Sequence, residues 1–310
     1  MKLDARQLQS ALSALEIGEI VAVAEMAGGT SPVFRLDLAD GKQLVLKVYP
    51  DDRPFTPARD AYAAAQVRNL AIPVTRYLVV DETREKLPFR FAVTNHLPGV
   101  AAKVLKDHPD IASVYQQMGA LLRKLHAIRM PGYGYLEANG IVSPVATNAE
   151  FLRTVIAGAF ERFLHFGGDA VLAGRLRVLV DEGFDSVAGH SVGPVFAHDD
   201  LHPGNILVSE ADDGTLSLSG LIDFGNARAA DAVWDLAKCL FCSDHDAPGS
   251  RKHILAGYGA IDHPDPAGAL SYYTLLHRMI MWWWLRHVGV IPTADAPSGL
   301  IDDLRAMTKV

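Results

Sequence analysis

The sequence is poor in cysteine, lacks a long uninterrupted hydrophobic run, and has fewer basic than acidic residues. Only Cys239 and Cys242 occur in 310 residues, which excludes a disulfide framework. Both lie in WDLAKCLFC, an apolar helical pattern. With no second cysteine pair and no thioredoxin-like strand and turn ahead of them, they read as core residues rather than a redox or zinc site. The most apolar late stretch, LLHRMIMWWWLRHVGVI, is interrupted by Arg278, Arg286 and two histidines and falls short of a membrane span. The opening MKLDARQLQSALSAL is charged and amphipathic, unlike a secretory signal. These features predict a cytoplasmic protein with no membrane partner. With 29 Lys and Arg against 36 Asp and Glu, the formal charge is −7, which argues against nucleic acid as a partner, because phosphate backbones are met by clustered basic residues.

What is present is the composition of a globular protein, 49% hydrophobic and 21% charged, in a chain long enough for two lobes. Leu8, Leu12 and Leu15 make one helical stripe near the N-terminus. β-Branched runs follow in IVAVAEMAGG, TSPVFRLDLADGKQLVLKVYP and PVTRYLVVDE, with Asp40-Gly41 as a hairpin turn between FRLDL and QLVLKVY. Between them, ARDAYAAAQVRNL reads as a helix ending before Pro73. After FRFAVTNHLPG, Pro98 and Gly99 break the strand, and helical patterns such as IASVYQQMGALLRKLHAI and NAEFLRTVIAGAFERFLHF dominate. A short strand region around a second hairpin turn, Asp213-Gly214, sits among them. The predicted fold class is α+β, with a small antiparallel-sheet lobe over residues 1–97 and a larger, mainly helical lobe over 98–310.

Two segments carry chemistry, HDDLHPGNIL (198–207) and IDFGNA (222–227). Asp200 and Asn205 lie on one loop tightened by Pro203 and Gly204. Asp223 follows an apolar strand that Phe224-Gly225 end. Asn205 and Asp223 supply two oxygen ligands of the kind magnesium takes while keeping waters, and Asp200 remains to orient or deprotonate a hydroxyl. In LVLKVY, strand alternation puts Lys47 on the face of Val45 and Tyr49. A lysine, two metal ligands and a carboxylate are what phosphoryl transfer needs near the nucleotide.

These segments resemble the H-x-D-x-x-x-x-N and D-F-G-like motifs of the aminoglycoside phosphotransferase and choline kinase superfamily. The resemblance spans most of the chain, since LRKLHAI (122–128) and DAVWDLAKCLF (231–241) are also similar to family segments. It implies a protein-kinase-like two-lobe fold and a transfer of the γ-phosphoryl of ATP, with Mg2+, to a hydroxyl of a small-molecule acceptor. Aminoglycoside-type antibiotics are the first acceptor class to test. The alternatives are a metabolic kinase of an amino alcohol, sugar or amino acid, and a nucleotide-binding pseudoenzyme.

The resemblance also assigns residues. Lys47 would contact phosphate and Asp60, standing where Glu is usual, would pair with it. The loop 27–36, with Gly28-Gly29, would cover the nucleotide through Thr30 and Ser31, stiffened by Pro32. The backbone of Asn95 and Leu97 would meet adenine, and His198 would orient the catalytic loop by hydrogen bonding. Asp199 replaces a usual glycine and would turn either inward or toward the acceptor. Asp199, Asp231, Asp235, Trp283 and Arg286 are the acceptor-side candidates, although Asp231 and Asp235 also have a structural role in the family segment and core packing competes for the tryptophans. Neither oligomeric state nor the acceptor follows from these residues.

Overall fold

A computed structural model describes residues 3–26, 30–289 and 298–308. In chain order the first elements are α1 (Ala5–Leu12), β1 (Ile20–Met26), β2 (Val33–Leu38), β3 (Gln43–Tyr49), α2 (Pro57–Gln66), β4 (Tyr77–Asp81), β5 (Arg90–Asn95) and β6 (Val100–Ala101). There follow α3 (Ile111–Leu125), β7 (Gly134–Glu137), β8 (Gly140–Ile141), α4 (Asn148–His165), α5 (Ala170–Ala188) and β9 (Val195–Ala197). The last are β10 (Ile206–Glu210), β11 (Leu216–Leu221), β12 (Arg228–Ala230), α6 (Ala232–Asp246), α7 (Arg251–Tyr258), α8 (Pro266–His287) and α9 (Ser298–Met307). They divide into two compact units, neither continuous in sequence. One holds residues 1–114, 136–140 and 203–227, the other 115–135, 141–202 and 228–310.

The first unit is built on an antiparallel sheet in the order β1-β2-β3-β5-β4. The Asp40-Gly41 turn joins β2 to β3, with Gly41 at φ 82°, a conformation open to glycine at little cost. Along β3, Leu44, Leu46 and Val48 enter an apolar core with Leu8, Leu12, Phe34 and Leu36, so Val45, Lys47 and Tyr49 take the other face. Helix α2 starts at the Thr56 cap with Pro57 in its first turn, a favoured combination. It stops at Gln66 rather than Leu70, because the Val67 N–H turns back to the Ala64 carbonyl and Val67 buries its side chain. A second sheet in this unit, β11-β10-β6, carries the Asp213-Gly214 hairpin.

The second unit is mainly helical. Thr147 and Glu150 form a reciprocal capping box at the start of α4, satisfying donors that a helix start leaves unpaired. Helix α8 runs through the centre of the unit: Trp282 lies against Phe163 with ring centroids 4.6 Å apart, and His277 meets the Trp234 carbonyl of α6 at 2.9 Å. Of the three consecutive tryptophans, Trp282 and Trp283 are buried and Trp284 is half-buried, as successive positions around a helix require. Cys239 is buried in α6, and burial pushes the Cys242 thiol up to about 12. Among the described residues no helix is long and apolar enough to cross a membrane.

Helices α3 and α7 approach closely through glycine. A Cβ at Gly257 would strike the Gln116 carbonyl, and one at Gly119 would strike that of Ile254. Gly158 on α4, by contrast, faces open space. Gly257→Ala is therefore expected to lower the unfolding free energy by about 1–3 kcal/mol through overpacking. Gly158→Ala should raise it by about 0.5–1 kcal/mol through helix propensity. Urea unfolding of the two variants beside the parent measures both.

Candidate functional site

In the first unit the sheet face opposite the apolar core carries a charge cluster in which Asp60 is buried, Lys47 mostly so and Asp223 partly exposed. Lys47 Nζ lies 2.8 Å from Asp60 Oδ2 and 2.9 Å from Asp223 Oδ1. Burial opposes the Lys47 charge, but Asp223 and Asp60 outweigh it and hold the amine well above the ordinary lysine range. The shorter Asp at position 60 thus reaches the lysine directly, with no bridging water. Two tyrosines buttress it: Tyr49 donates to Asp60 Oδ2 at 2.8 Å and Tyr77 at 3.4 Å. Burial, then the Asp60 charge, pushes both phenols well up, so they stay donors. Gly225 sits where a Cβ would come within 3.2 Å of Asp60 Oδ1 and of the Phe55 ring, which accounts for a glycine there.

The hairpin β10–β11 explains how Asn205 and Asp223 come to one end of one ribbon. Ile206 pairs with Leu221, and the Ile222 N–H donates to the Asn205 carbonyl at 3.1 Å. The metal-ligand candidates therefore sit just before the first strand and just after the second. Asp223 adopts φ 63°, a left-handed conformation that Asp tolerates better than bulkier residues. Leu221 is tied to the segment leading into β4 by hydrogen bonds with Pro73 and Thr75. Asn95 fastens β5 there too, exchanging bonds with the backbone of Arg76, and Leu97 packs over Gly220. Ser31 is buried and Thr30 exposed; Gly28 and Gly29 lie outside the described residues.

In the second unit, the loop 198–202 is held by the first turns of α6. Asp231 caps this helix, accepting from the Val233 N–H at 2.6 Å. Asp235, fully buried, accepts the backbone N–H groups of His198 at 2.8 Å and Asp199 at 2.9 Å, and its Oδ2 lies 3.1 Å from His126 Nε2. Burial works to raise the Asp235 carboxyl, but the His126 hydrogen bond and charge, with the loop N–H donors, bring it below the usual carboxylate range. Asp200 follows, its side chain 22% exposed and its Oδ1 3.6 Å from Lys238 Nζ. His202 is anchored by Asp246, Nδ1 to Oδ2, at 2.7 Å. Burial pulls the His202 value down, but Asp246 and the charge of Asp200 outweigh it, so the imidazole titrates above its ordinary 6.5.

Asp199, Asp231 and Asp235, named among the acceptor-side candidates, are all buried: Asp199 takes the inward of its two alternatives, and Asp231 and Asp235 the structural role. Asp199 is 1% exposed at φ 54°, the left-handed backbone that suits the glycine it replaces. Its carboxylate accepts from the Trp234 indole at 2.8 Å and lies 2.5 Å from Arg228 and 3.7 Å from Lys238. Burial pushes this carboxyl up against the pull of Arg228 and Lys238, which are themselves held above their ordinary values by its charge against the cost of burial. Trp283, also expected on the acceptor side, packs on Phe166 under the Arg162 guanidinium. Arg286 lies over the Trp282 ring at 3.6 Å.

Several of these partners carry little signal in sequence. Tyr49 and Tyr77 read as ordinary strand aromatics, and Arg228 as a residue past the D-F-G-like segment. Lys238 had one available signal: on a helix it lies three residues after Asp235 and therefore on the same face. A cavity of about 200 Å3 also opens in this unit between Arg123, Arg129, Asp231 and Tyr258. Asp200 is not part of its wall, and its polar groups are engaged: Arg123 with the Tyr258 and Ala260 carbonyls, Arg129 with that of Val192.

A family model described as "Phosphotransferase enzyme family" matches residues 22–270. No curated protein matches the chain. Among solved structures, aminoglycoside phosphotransferase APH(4)-Ia is similar over 99% of this chain and all of its own, at 17% identity and TM-score 0.71. A thermostable mutant of that enzyme in complex with ADP and hygromycin B gives 17% identity and 0.70, over 97% and 98%. Choline kinase LicA from Streptococcus pneumoniae gives 15% and 0.66, covering 98% of each chain. A putative fructosamine-3-kinase from Thermobifida fusca gives 20% and 0.68, over 99% and 98%. The α+β fold expected from sequence, with its antiparallel sheet and mainly helical remainder, is the fold of these proteins.

Two outcomes follow from the geometry. Tyr49→Phe removes a buried hydroxyl donor from the Asp60 carboxylate and is expected to lower the unfolding free energy by about 2 kcal/mol in urea. The His202–Asp246 pair raises a histidine above 6.5, so its stabilisation is full below that pH and lost as pH rises through the raised value. The gap in urea stability between the parent and Asp246→Asn should accordingly be wider near pH 6 than near pH 8.

Proposed function

The chain belongs to the phosphotransferase enzyme family, and on that premise we propose that it moves the γ-phosphoryl group of ATP to a hydroxyl of a small molecule. The observation that carries this reading is the position of Lys47, within 2.9 Å of both Asp60 and Asp223. A buried amine held charged beside a carboxylate of metal-ligand type is equipped to take phosphate oxygens in a site that neutralises their charge. Residues 1–97 act as the nucleotide-binding lobe, with Thr30, Ser31 and the backbone of Asn95 and Leu97 as further nucleotide contacts. Residues 98–310 serve catalysis and acceptor binding.

Asn205 and Asp223 would hold magnesium, and their donor set fits: two oxygen side chains flanking one hairpin end, the kind of partial shell this ion completes with water and phosphate. When bound, magnesium supplies neutralisation of the phosphate charge. Asp200 orients the acceptor hydroxyl by accepting its hydrogen bond. As the acceptor oxygen bonds to the γ-phosphorus, the bond from that phosphorus to the β–γ bridging oxygen breaks and its electron pair leaves with ADP. The hydroxyl proton passes to the Asp200 carboxylate and then to solvent. Asp235, through the N–H groups of His198 and Asp199, keeps the loop in the shape that presents Asp200.

For the acceptor, aminoglycosides remain the first class to test, in line with the resemblance. The inward turn of Asp199, Asp231 and Asp235 removes three carboxylates from the set that would receive a polyamine, which favours a second reading, a metabolic kinase of an amino alcohol, sugar or amino acid. A panel of both classes, followed by ADP release and by the mass of the phosphorylated product, separates them. Asp200→Ala is expected to lower turnover by about 10³-fold while magnesium-ATP affinity stays within about twofold. Undiminished turnover in that variant would sink the mechanism, and nucleotide binding without product for any acceptor would make the chain a pseudoenzyme.

A further inference from the structure

Helix α6 grips the loop 198–200 from one face. Lys238 lies four residues after Trp234 and three after Asp235 on this helix, the spacings at which helix side chains are neighbours. Trp234 takes the Asp199 carboxylate, and Asp235 takes two loop N–H groups. Lys238 takes the loop from the opposite polarity: its amine donates to the Asp199 carbonyl and lies 3.6 Å from Asp200 Oδ1. Lys238 is a basic partner of Asp200. Its side chain is 12% exposed, so the charge is not diluted by bulk water.

We infer that Lys238 is a positioning residue for phosphoryl transfer, holding the Asp200 carboxylate in one orientation by an ion pair while its other bond fixes the Asp199 carbonyl. The inference rests on the phosphotransfer reading and deepens it. A cation beside a carboxylate stabilises the anion and weakens it as a base. That suits a reaction whose transition state is loose, where the acceptor proton moves late and orientation matters more than basicity. It also accounts for an aspartate at position 199. The Asp199 carboxylate, held by Arg228 and the indole, shares the Lys238 charge. The charged and titratable groups around the pair are Asp199 and Asp200 on the loop, His202 with Asp246, Arg228 on β12, and Cys242 on α6, whose thiol burial keeps protonated.

The test compares Lys238→Arg and Lys238→Gln with the parent, using the acceptor that the parent phosphorylates and scaling kcat to the number of magnesium-ATP sites titrated. Lys238→Gln is expected to lose about 10²-fold in kcat, the scale of a misplaced catalytic group, with KM for ATP within about twofold. Lys238→Arg should recover most of kcat. A Lys238→Gln enzyme within about threefold of the parent in kcat, or a Lys238→Arg enzyme as impaired as Lys238→Gln with intact nucleotide sites, overturns the role of Lys238 alone. If Lys238→Gln does not fold, Lys238→Arg and Lys238→Met decide by the same comparison. A parent that transfers phosphate to no hydroxyl overturns the phosphotransfer reading, and the assignment of Lys238 with it.

Discussion

The second unit depends on one buried carboxylate. Asp235 has no exposed surface, and an ionised group in that position is tolerable only if donors surround it. His126, just past the end of α3, and the N–H groups of His198 and Asp199 are those donors. Because the loop's own backbone is part of the solvation shell of Asp235, the loop cannot relax without leaving a buried charge exposed to nothing. The same constraint fixes the start of α6, where Asp231 caps the helix, and so determines where Trp234 and Lys238 fall.

The charge arrangement in the first unit follows a parallel logic with different parts. There a cation, Lys47, is the buried group, and Asp60 and Asp223 are its shell. Asp60 comes from a helix whose start is set by Thr56 and Pro57, and Asp223 from the end of a hairpin whose register is set by Ile206 and Leu221. Local rules of capping and pairing therefore bring together residues 176 positions apart in sequence.

Features governed by short-range periodicity were legible in the sequence. The alternation around Lys47, the turns at Asp40-Gly41 and Asp213-Gly214, and the helices on Leu8 and Ala63 each follow from patterns a few residues long. The order of the HDDLHPGNIL and IDFGNA segments identified the chemistry. What stayed open was the placement of individual carboxylates. Sequence leaves Asp199, Asp231 and Asp235 between an inward and an acceptor-side position, and only the fold shows that Arg228, Lys238, Trp234, His126 and backbone N–H groups meet them inside. Burial of a charge depends on partners distant in sequence, and periodicity does not report partners. The left-handed backbone at Asp199 and Asp223 was hidden for the same reason, since aspartate occupies that region without the signature a glycine leaves.

The short reach of Asp60 has a consequence for how the protein rests. Its carboxylate takes Lys47 and both phenols on one oxygen, so swinging α2 away would strand two hydroxyls and leave the ammonium with Asp223 alone, at a cost of several kcal/mol. A helix bound in this way makes a poor lever. The lysine is thus kept assembled by its own partners, and this part of the first unit behaves as a fixture rather than as a switch.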